Sequence, residues 1–161
     1  MKAPRGVALA FALPLLAGCN PFRQDPPTEI NRNEIPLTNR WNATLGTPST
    51  LAGAIQIRGT AWMGSQSGSN ETRVEIRLSN ATPGGVHPWH VHRGQCGSDQ
   101  GIWGDAGEYE TITINDEGNG SGAATISEPT PSDGQYYVNV HASPSNLGTI
   151  VACGNLAPPA R

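Results

Sequence analysis

Apolar and polar side chains alternate in several short stretches of this chain. Val74, Ile76 and Leu78 are interleaved with Arg73, Glu75 and Arg77, the two-residue period of a strand with one buried and one wet face. Ile112 and Ile114 alternate with Thr111 and Thr113, and Tyr136, Val138 and Val140 alternate with Tyr137, Asn139 and His141. Ile55 and Ile57 stand in the same way among Ala54, Gln56 and Arg58. No stretch carries a convincing helical stripe. Turn-forming residues separate the runs: Gly64 to Gly68, Thr82-Pro83-Gly84-Gly85, Asp116 to Gly120 and Pro129 to Gly134. The pattern predicts about eight short strands, near 41–45, 52–64, 71–79, 86–92, 107–115, 121–127, 135–141 and 149–153. Strands of this length and spacing predict an all-β antiparallel sandwich or barrel.

The first part of the chain does not share this rhythm. Lys2 and Arg5 precede an apolar run from Gly6 to Ala17, too short for a permanent membrane span and of the size of a signal-peptide core. It closes on Leu16-Ala17-Gly18-Cys19, which resembles the bacterial lipobox, whose cysteine becomes lipidated and N-terminal. The plainer alternative is an ordinary signal peptide with a nearby cysteine. The several acyl chains of such an anchor hold better than one chain, and Asn20 after the cysteine favours the outer membrane. Residues from Pro21 to about Thr38 are polar and proline-bearing, the composition of a tether. The expected organisation is a lipoprotein signal peptide over 1–18, a flexible tether over 19–39, one domain over 40–156 and a short tail over 157–161. The expected location is the cell envelope, lipid-anchored at Cys19, on the periplasmic side of the outer membrane or at the cell surface.

Charge narrows the partners. Without Lys2 and Arg5, 10 − 2 = 8 basic side chains face 13 acidic ones. Phosphate binding needs a basic face, so nucleic acid is excluded as a partner. In an oxidising compartment Cys96 and Cys153 are read as a disulfide, with a pair of thiolate metal ligands as the competing reading. Trp41, Trp62 and Trp103 read as packing residues, and Glu108, Glu110, Asp116 and Glu117 as a solvated face. Four sites match the glycosylation pattern, at Asn42, Asn70, Asn80 and Asn119; at strand ends they read as polar turn residues.

The histidines carry the candidate chemistry. His87, His90, His92 and His141 are all that the chain has. His90-Val91-His92 places two imidazoles on one face of a strand, and Trp89 and Val91 on the other. His141 closes another alternating run, opposite in face to Val138 and Val140. Two imidazoles from one strand and a third from its neighbour suit copper in either oxidation state, and zinc as well. The plain alternative is a His-x-His pair that is only a surface feature.

These residues also match a family. Val86-His87-Pro88-Trp89-His90-Val91-His92 resembles the Gly/Leu-His-Gly-Phe/Trp-His-Val-His segment of Cu,Zn superoxide dismutases. Tyr137-Val138-Asn139-Val140-His141 resembles that family's Val-Val-His strand, and Val151-Ala152-Cys153-Gly154 its Ala-Cys-Gly close. Cys96 stands where the family has the first half of its disulfide, and Gly104-Asp105-Ala106-Gly107 resembles its Gly-Asp-Leu-Gly. The resemblance covers roughly 40–156 and implies an eight-stranded Greek-key β-barrel. It implies one copper ion on His90, His92 and His141, which would be both metal ligands and catalytic residues. It gives His87 a supporting role through hydrogen bonds, with direct ligation by His87 as the alternative.

The departures from the family are as informative. Only a short segment separates Cys96 from Gly107, with no histidine in it, so the bridging and zinc histidines have no counterpart. Asp105 matches the zinc aspartate, but one carboxylate cannot complete a four-coordinate site, and no zinc site is expected. The family's active-site arginine falls on Ile150, and the segment from His141 to Cys153 has no charged guiding loop. The expected function is a superoxide dismutase-like copper lipoprotein with altered or reduced dismutation, its partners being superoxide or a copper ion. The alternatives are a non-enzymatic protein that buffers or transfers copper and a metal-free structural relative.

Overall fold

The computed structural model describes residues 39–65 and 70–160. Cys19, the expected leader and the expected tether up to residue 38 lie outside the described residues, as do 66–69 and Arg161. The described chain is nearly all β. Its strands are β1 (Trp41–Gly46), β2 (Arg58–Ser65), β3 (Thr72–Ser79), β4 (Val86–His87), β5 (Trp89–Gln95), β6 (Ser98–Ile102), β7 (Ile112–Thr113), β8 (Gly120–Ile126), β9 (Tyr136–Ser143) and β10 (Asn146–Leu156). A 3-10 turn covers Ala106–Glu108.

Eight strands form one curled antiparallel sheet in the order β6-β5-β9-β10-β1-β2-β3-β8, and β4 pairs with β7 in a second small ladder. The connections from β3 to β5 and from β8 to β9 cross between the two ends of this order, the long overhand links of a Greek-key arrangement. An isolated bridge from Tyr109 to Ala124 ties the segment before β7 to β8. The expected all-β antiparallel barrel or sandwich is the fold observed.

The alternation seen in sequence fills the core. In β1 Trp41, Ala43 and Leu45 are buried while their neighbours are exposed, and in β3 Val74, Ile76 and Leu78 are buried between half-buried or exposed polar neighbours. Trp89, Val91, Val138 and Val140 come inward from β5 and β9, and all four have no exposed surface. Each fully buried aliphatic side chain contributes about 1.5–3 kcal/mol of transfer free energy.

Several sequence boundaries shift, each for a physical reason. The strand expected over 52–64 begins only at Arg58, because Leu51–Ala54 curl into a turn whose amides bond back, Leu51 to Pro48 and Ile55 to Leu51. Ile57 is buried from a loop, its N–H donating to Thr47 Oγ1 at 2.9 Å; alternation there records burial without a ladder. The single strand expected over 86–92 is cut by Pro88, which has no amide hydrogen to give. Val86 and His87 therefore pair with β7, and pairing with β9 starts at Trp89. The strand expected over 107–115 shrinks to Ile112–Thr113, after the 3-10 turn. The hairpin strand β6 has no counterpart in the sequence reading, because its residues are polar and almost all exposed.

Cys96 and Cys153 form a disulfide across 57 residues, with Cα atoms 6.1 Å apart. It fastens the turn after β5 to β10, beside a hydrogen bond from the Cys96 amide to Asn155 Oδ1. Closing a loop of this length removes about 4 kcal/mol of chain entropy from the denatured state. A Cys96→Ala/Cys153→Ala chain is therefore expected to unfold about 4 kcal/mol more easily in denaturant titration. An unchanged midpoint and slope would contradict that role.

Candidate metal centre

The register between β5 and β9 builds the site. Trp89 pairs with Val140, His90 with Asn139, Val91 with Val138 and His92 with Tyr137. Cross-strand partners share a face, so Trp89, Val91, Val138 and Val140 point to the core. His90, His92, Tyr137, Asn139 and His141 point to the opposite side. That side is not left to solvent. Residues 46–51, the β5–β6 hairpin and the β9–β10 turn enclose His92, Tyr137, Asn139 and His141 around a cleft of about 1070 Å³. Tyr137 is 1 %, His92 5 %, Asn139 6 % and His141 7 % exposed, and His90 is half-buried.

His90, His92 and His141 bring one ring nitrogen each to within 4.8 Å of one another. His90 Nδ1 lies 3.2 Å from His141 Nε2. Nitrogens that share one ion at about 2.0–2.1 Å are about 3–3.6 Å apart in tetrahedral or trigonal geometry, so this pair already has that spacing. His92 Nε2 is buried and has no hydrogen-bond partner among the described residues. A buried polar nitrogen without a partner is costly, and an ion between the rings would satisfy it. The donor set fits a metal that accepts imidazole.

The far side of each buried ring is anchored. His141 Nδ1 donates to the carbonyl of Leu147 at 2.7 Å, which leaves Nε2 as the lone-pair nitrogen. His92 Nδ1 donates to Asp99 Oδ1 at 2.8 Å, which likewise leaves Nε2 free. His141 is also held through its backbone: its N–H donates to Pro88 O at 2.8 Å, and its carbonyl accepts from His87 Nδ1 at 2.9 Å. His87 is buried and lies outside the converging set. A Cβ on Gly85 would stand 2.7 Å from His87 Nε2, so this glycine makes room for the ring.

The electrostatics favour neutral imidazoles, the form that binds metal. Burial, followed by the neighbouring His141 and His92, pushes His90 down to about 4. His141 is also lowered, chiefly by burial, against the opposing pull of the Leu147 carbonyl. Edge-on contact with Tyr109 at 5.3 Å supports the His90 ring. The Tyr109 hydroxyl donates to Trp103 O at 2.7 Å, and burial raises its pKa.

Other residues singled out in the sequence have different duties. Asp105 caps the 3-10 turn: its carboxylate accepts from the Gly107 amide at 2.9 Å, and Glu108 returns a bond to the Asp105 amide at 3.2 Å. Glu108 also accepts from the Ser127 amide at 2.9 Å, so it pins this turn to the end of β8. Glu110, Asp116 and Glu117 are exposed. Trp41 and Trp103 are buried, and Trp62 is half-buried beneath the Arg40 guanidinium at 4.0 Å. Ile150, at the position matched to the family's arginine, lines the cleft.

Asp99 is the residue that sequence reasoning missed. It stands in β6, in a segment with no apolar period. The only signal for it was an acid seven residues after His92, which is too common to read. Gly94 makes its position attainable: the backbone there has φ +98°, and a Cβ would lie 2.3 Å from Ser98 O. The register of β5 against β6 shifts at this glycine.

The depressed His90 value sets a pH dependence. The unfolded chain protonates this ring near pH 6.5 and the folded chain only near 4. Between these values the denatured state takes up a proton that the folded state refuses, so stability is full above the window and is lost as pH falls through it. Denaturant titrations of metal-free protein at about pH 7 and about pH 4.5 are expected to show a smaller acid loss in His90→Gln than in the unsubstituted chain. Equal losses would contradict the assignment.

Compared with known proteins, the chain matches no family model and no curated protein.

Proposed function

We propose that this chain is a superoxide dismutase-like copper protein of the cell envelope, with His90, His92 and His141 as copper ligands and Cys19 as its lipid anchor. The observation that carries the reading is the convergence of three ring nitrogens on a walled face, one of them buried without a partner. The positions that resemble the family's copper ligands fall on that convergence, and the resemblance of Leu16-Ala17-Gly18-Cys19 to the bacterial lipobox supports an envelope location. Three imidazoles suit copper in both oxidation states, and copper when bound supplies one-electron redox chemistry.

The chain's own residues would divide the work. His90, His92 and His141 would hold the ion, and burial disfavours the protonated form of His90 and of His141. Leu147 O and Asp99 orient two of the rings, and His87 steadies the backbone at His141. Residues 46–51 and 147–150 line the cleft beside His92 and His141. Among the described residues, the cleft wall includes one formally charged side chain, Asp99, and neither lysine nor arginine. An anion gains nothing from that wall, since capture is accelerated by positive potential. Superoxide would therefore arrive without steering, and dismutation would be slow beside that of a steered site.

The same wall favours a second reading, in which the protein holds or passes on copper and turns over no substrate. An acidic approach suits a metal cation better than an anion.

Mass spectrometry of reconstituted protein is expected to find one copper per chain, and His141→Ala is expected to lose it. Superoxide decay is expected to be accelerated by the copper-loaded chain, with a rate that does not fall as salt is raised. Equal copper in both chains would refute the site. Full copper with no acceleration would leave the copper-holding reading alone, and a rate that drops steeply with salt would contradict the absence of steering.

A further inference from the structure

Asp99 is unusual in its setting. Its side chain is 56 % exposed, yet its Oδ1 is committed to a ring that is 6 % exposed. The same oxygen accepts from the Gly101 amide at 2.8 Å and from His92 Nδ1 at 2.8 Å, so the carboxylate is fixed at the mouth of the cleft. Tyr137 packs against the His92 ring, with ring centroids 5.2 Å apart and planes tilted by 36°. Asn139 Nδ2 donates to the Tyr137 hydroxyl oxygen at 3.3 Å. The backbone N–H of Gly101 first, and then His92, hold the Asp99 carboxyl below the usual carboxylate range. Burial, and then the charge of Asp99, push Tyr137 up to about 12. His92 from β5 is thus held by Asp99 from β6 on its Nδ1 and packed against Tyr137 from β9.

We propose that Asp99 is a positioning residue for this centre: it holds the His92 proton on Nδ1, aims the Nε2 lone pair at the metal position and biases the site towards Cu(II) over Cu(I). This inference rests on the copper reading above. The physical basis has two parts. A hydrogen bond from Nδ1–H to an acceptor fixes which nitrogen is free to ligate and fixes the ring plane. An acceptor that is an anion also makes the imidazole a stronger donor, which favours the more highly charged ion.

A latch that merely joined β6 to β5 would serve the first purpose without the second. Loss of the latch would weaken both oxidation states together. Loss of the charge would weaken Cu(II) selectively. Asp99→Asn separates the two, because the amide keeps an acceptor oxygen of the same reach and removes the charge. Asp99→Ala removes both, and Asp99→Glu restores the charge on a longer arm.

The test uses the full chain. Cu(II) and Cu(I) affinities are measured by competition with chelators, and the midpoint potential is measured for each variant. The nitrogen-15 histidine spectrum is recorded on the metal-free chain. Removal of a hydrogen-bond partner behind a ligating histidine costs about 10–100-fold in metal affinity. Asp99→Asn is therefore expected to bind Cu(II) about tenfold more weakly with little change for Cu(I). That ratio raises the one-electron potential by about 59 mV. Asp99→Glu is expected to return the potential towards that of the unsubstituted protein. The metal-free spectrum is expected to show the His92 proton on Nδ1 in the unsubstituted chain, and a mixture of tautomers in Asp99→Ala.

An unchanged potential in Asp99→Asn, whether the affinities hold or fall in parallel, would overturn the inference. The nitrogen spectrum needs no metal. A chain that takes up no copper would therefore refute the copper reading, whereas a His92 proton on Nε2 would overturn the Asp99 inference whether or not copper binds.

Discussion

The antiparallel register of β5 against β9 is the constraint on which the rest depends. Pairing Val91 with Val138 gives the core two side chains with no exposed surface. The same pairing turns His90 and His92 to the far side, beside Asn139 and Tyr137. A slip of one residue would send the imidazoles into the core and the valines into the cleft. Core and candidate centre are thus two faces of one ladder, and the hydrophobic burial that stabilises the fold also fixes the spacing of the ring nitrogens. His141 joins them from two positions beyond Asn139, where β9 is held to Pro88 and to the shifted register of β10.

A second layer of contacts converts placement into chemistry. Strand register brings rings near one another but does not choose which nitrogen is free. Leu147 O makes that choice for His141 and Asp99 makes it for His92, one from a turn and the other from a hairpin. The disulfide fastens the turn between β5 and β6 to β10, directly before the hairpin strand that carries Asp99. These elements lie outside the core and contribute little burial, yet they decide the donor set. The low basicity of His90 has a separate origin, since burial and the neighbouring His141 and His92 hold it well below its ordinary value.

Legibility in the sequence follows the same division. Residues governed by the two-residue period could be read directly: the inward rows of β3 and β9, the shared face of His90 and His92, and the opposite facing of Val140 and His141. The period misled at Ile55 and Ile57, where a loop buries apolar side chains without a ladder. Pro88 was a visible sign that the strand would break, and its consequence was a different partner for His87. Asp99 was not readable, because a polar, exposed hairpin has no period and the link to His92 depends on the turn at Gly94. Asp105 resembled a ligand in sequence, but local amides claim its carboxylate as a turn cap. A motif gives the residue type, and the backbone around it decides what that residue is free to do.

Pulsed electron paramagnetic resonance of the Cu(II)-loaded chain, which counts the histidine nitrogens coupled to the ion, tests the convergence of His90, His92 and His141 most directly. The expected spectrum contains three coordinated imidazoles in the unsubstituted protein and one fewer in His141→Ala. A spectrum dominated by backbone amide nitrogen, or one unchanged by loss of His141, would contradict a centre built by these two strands.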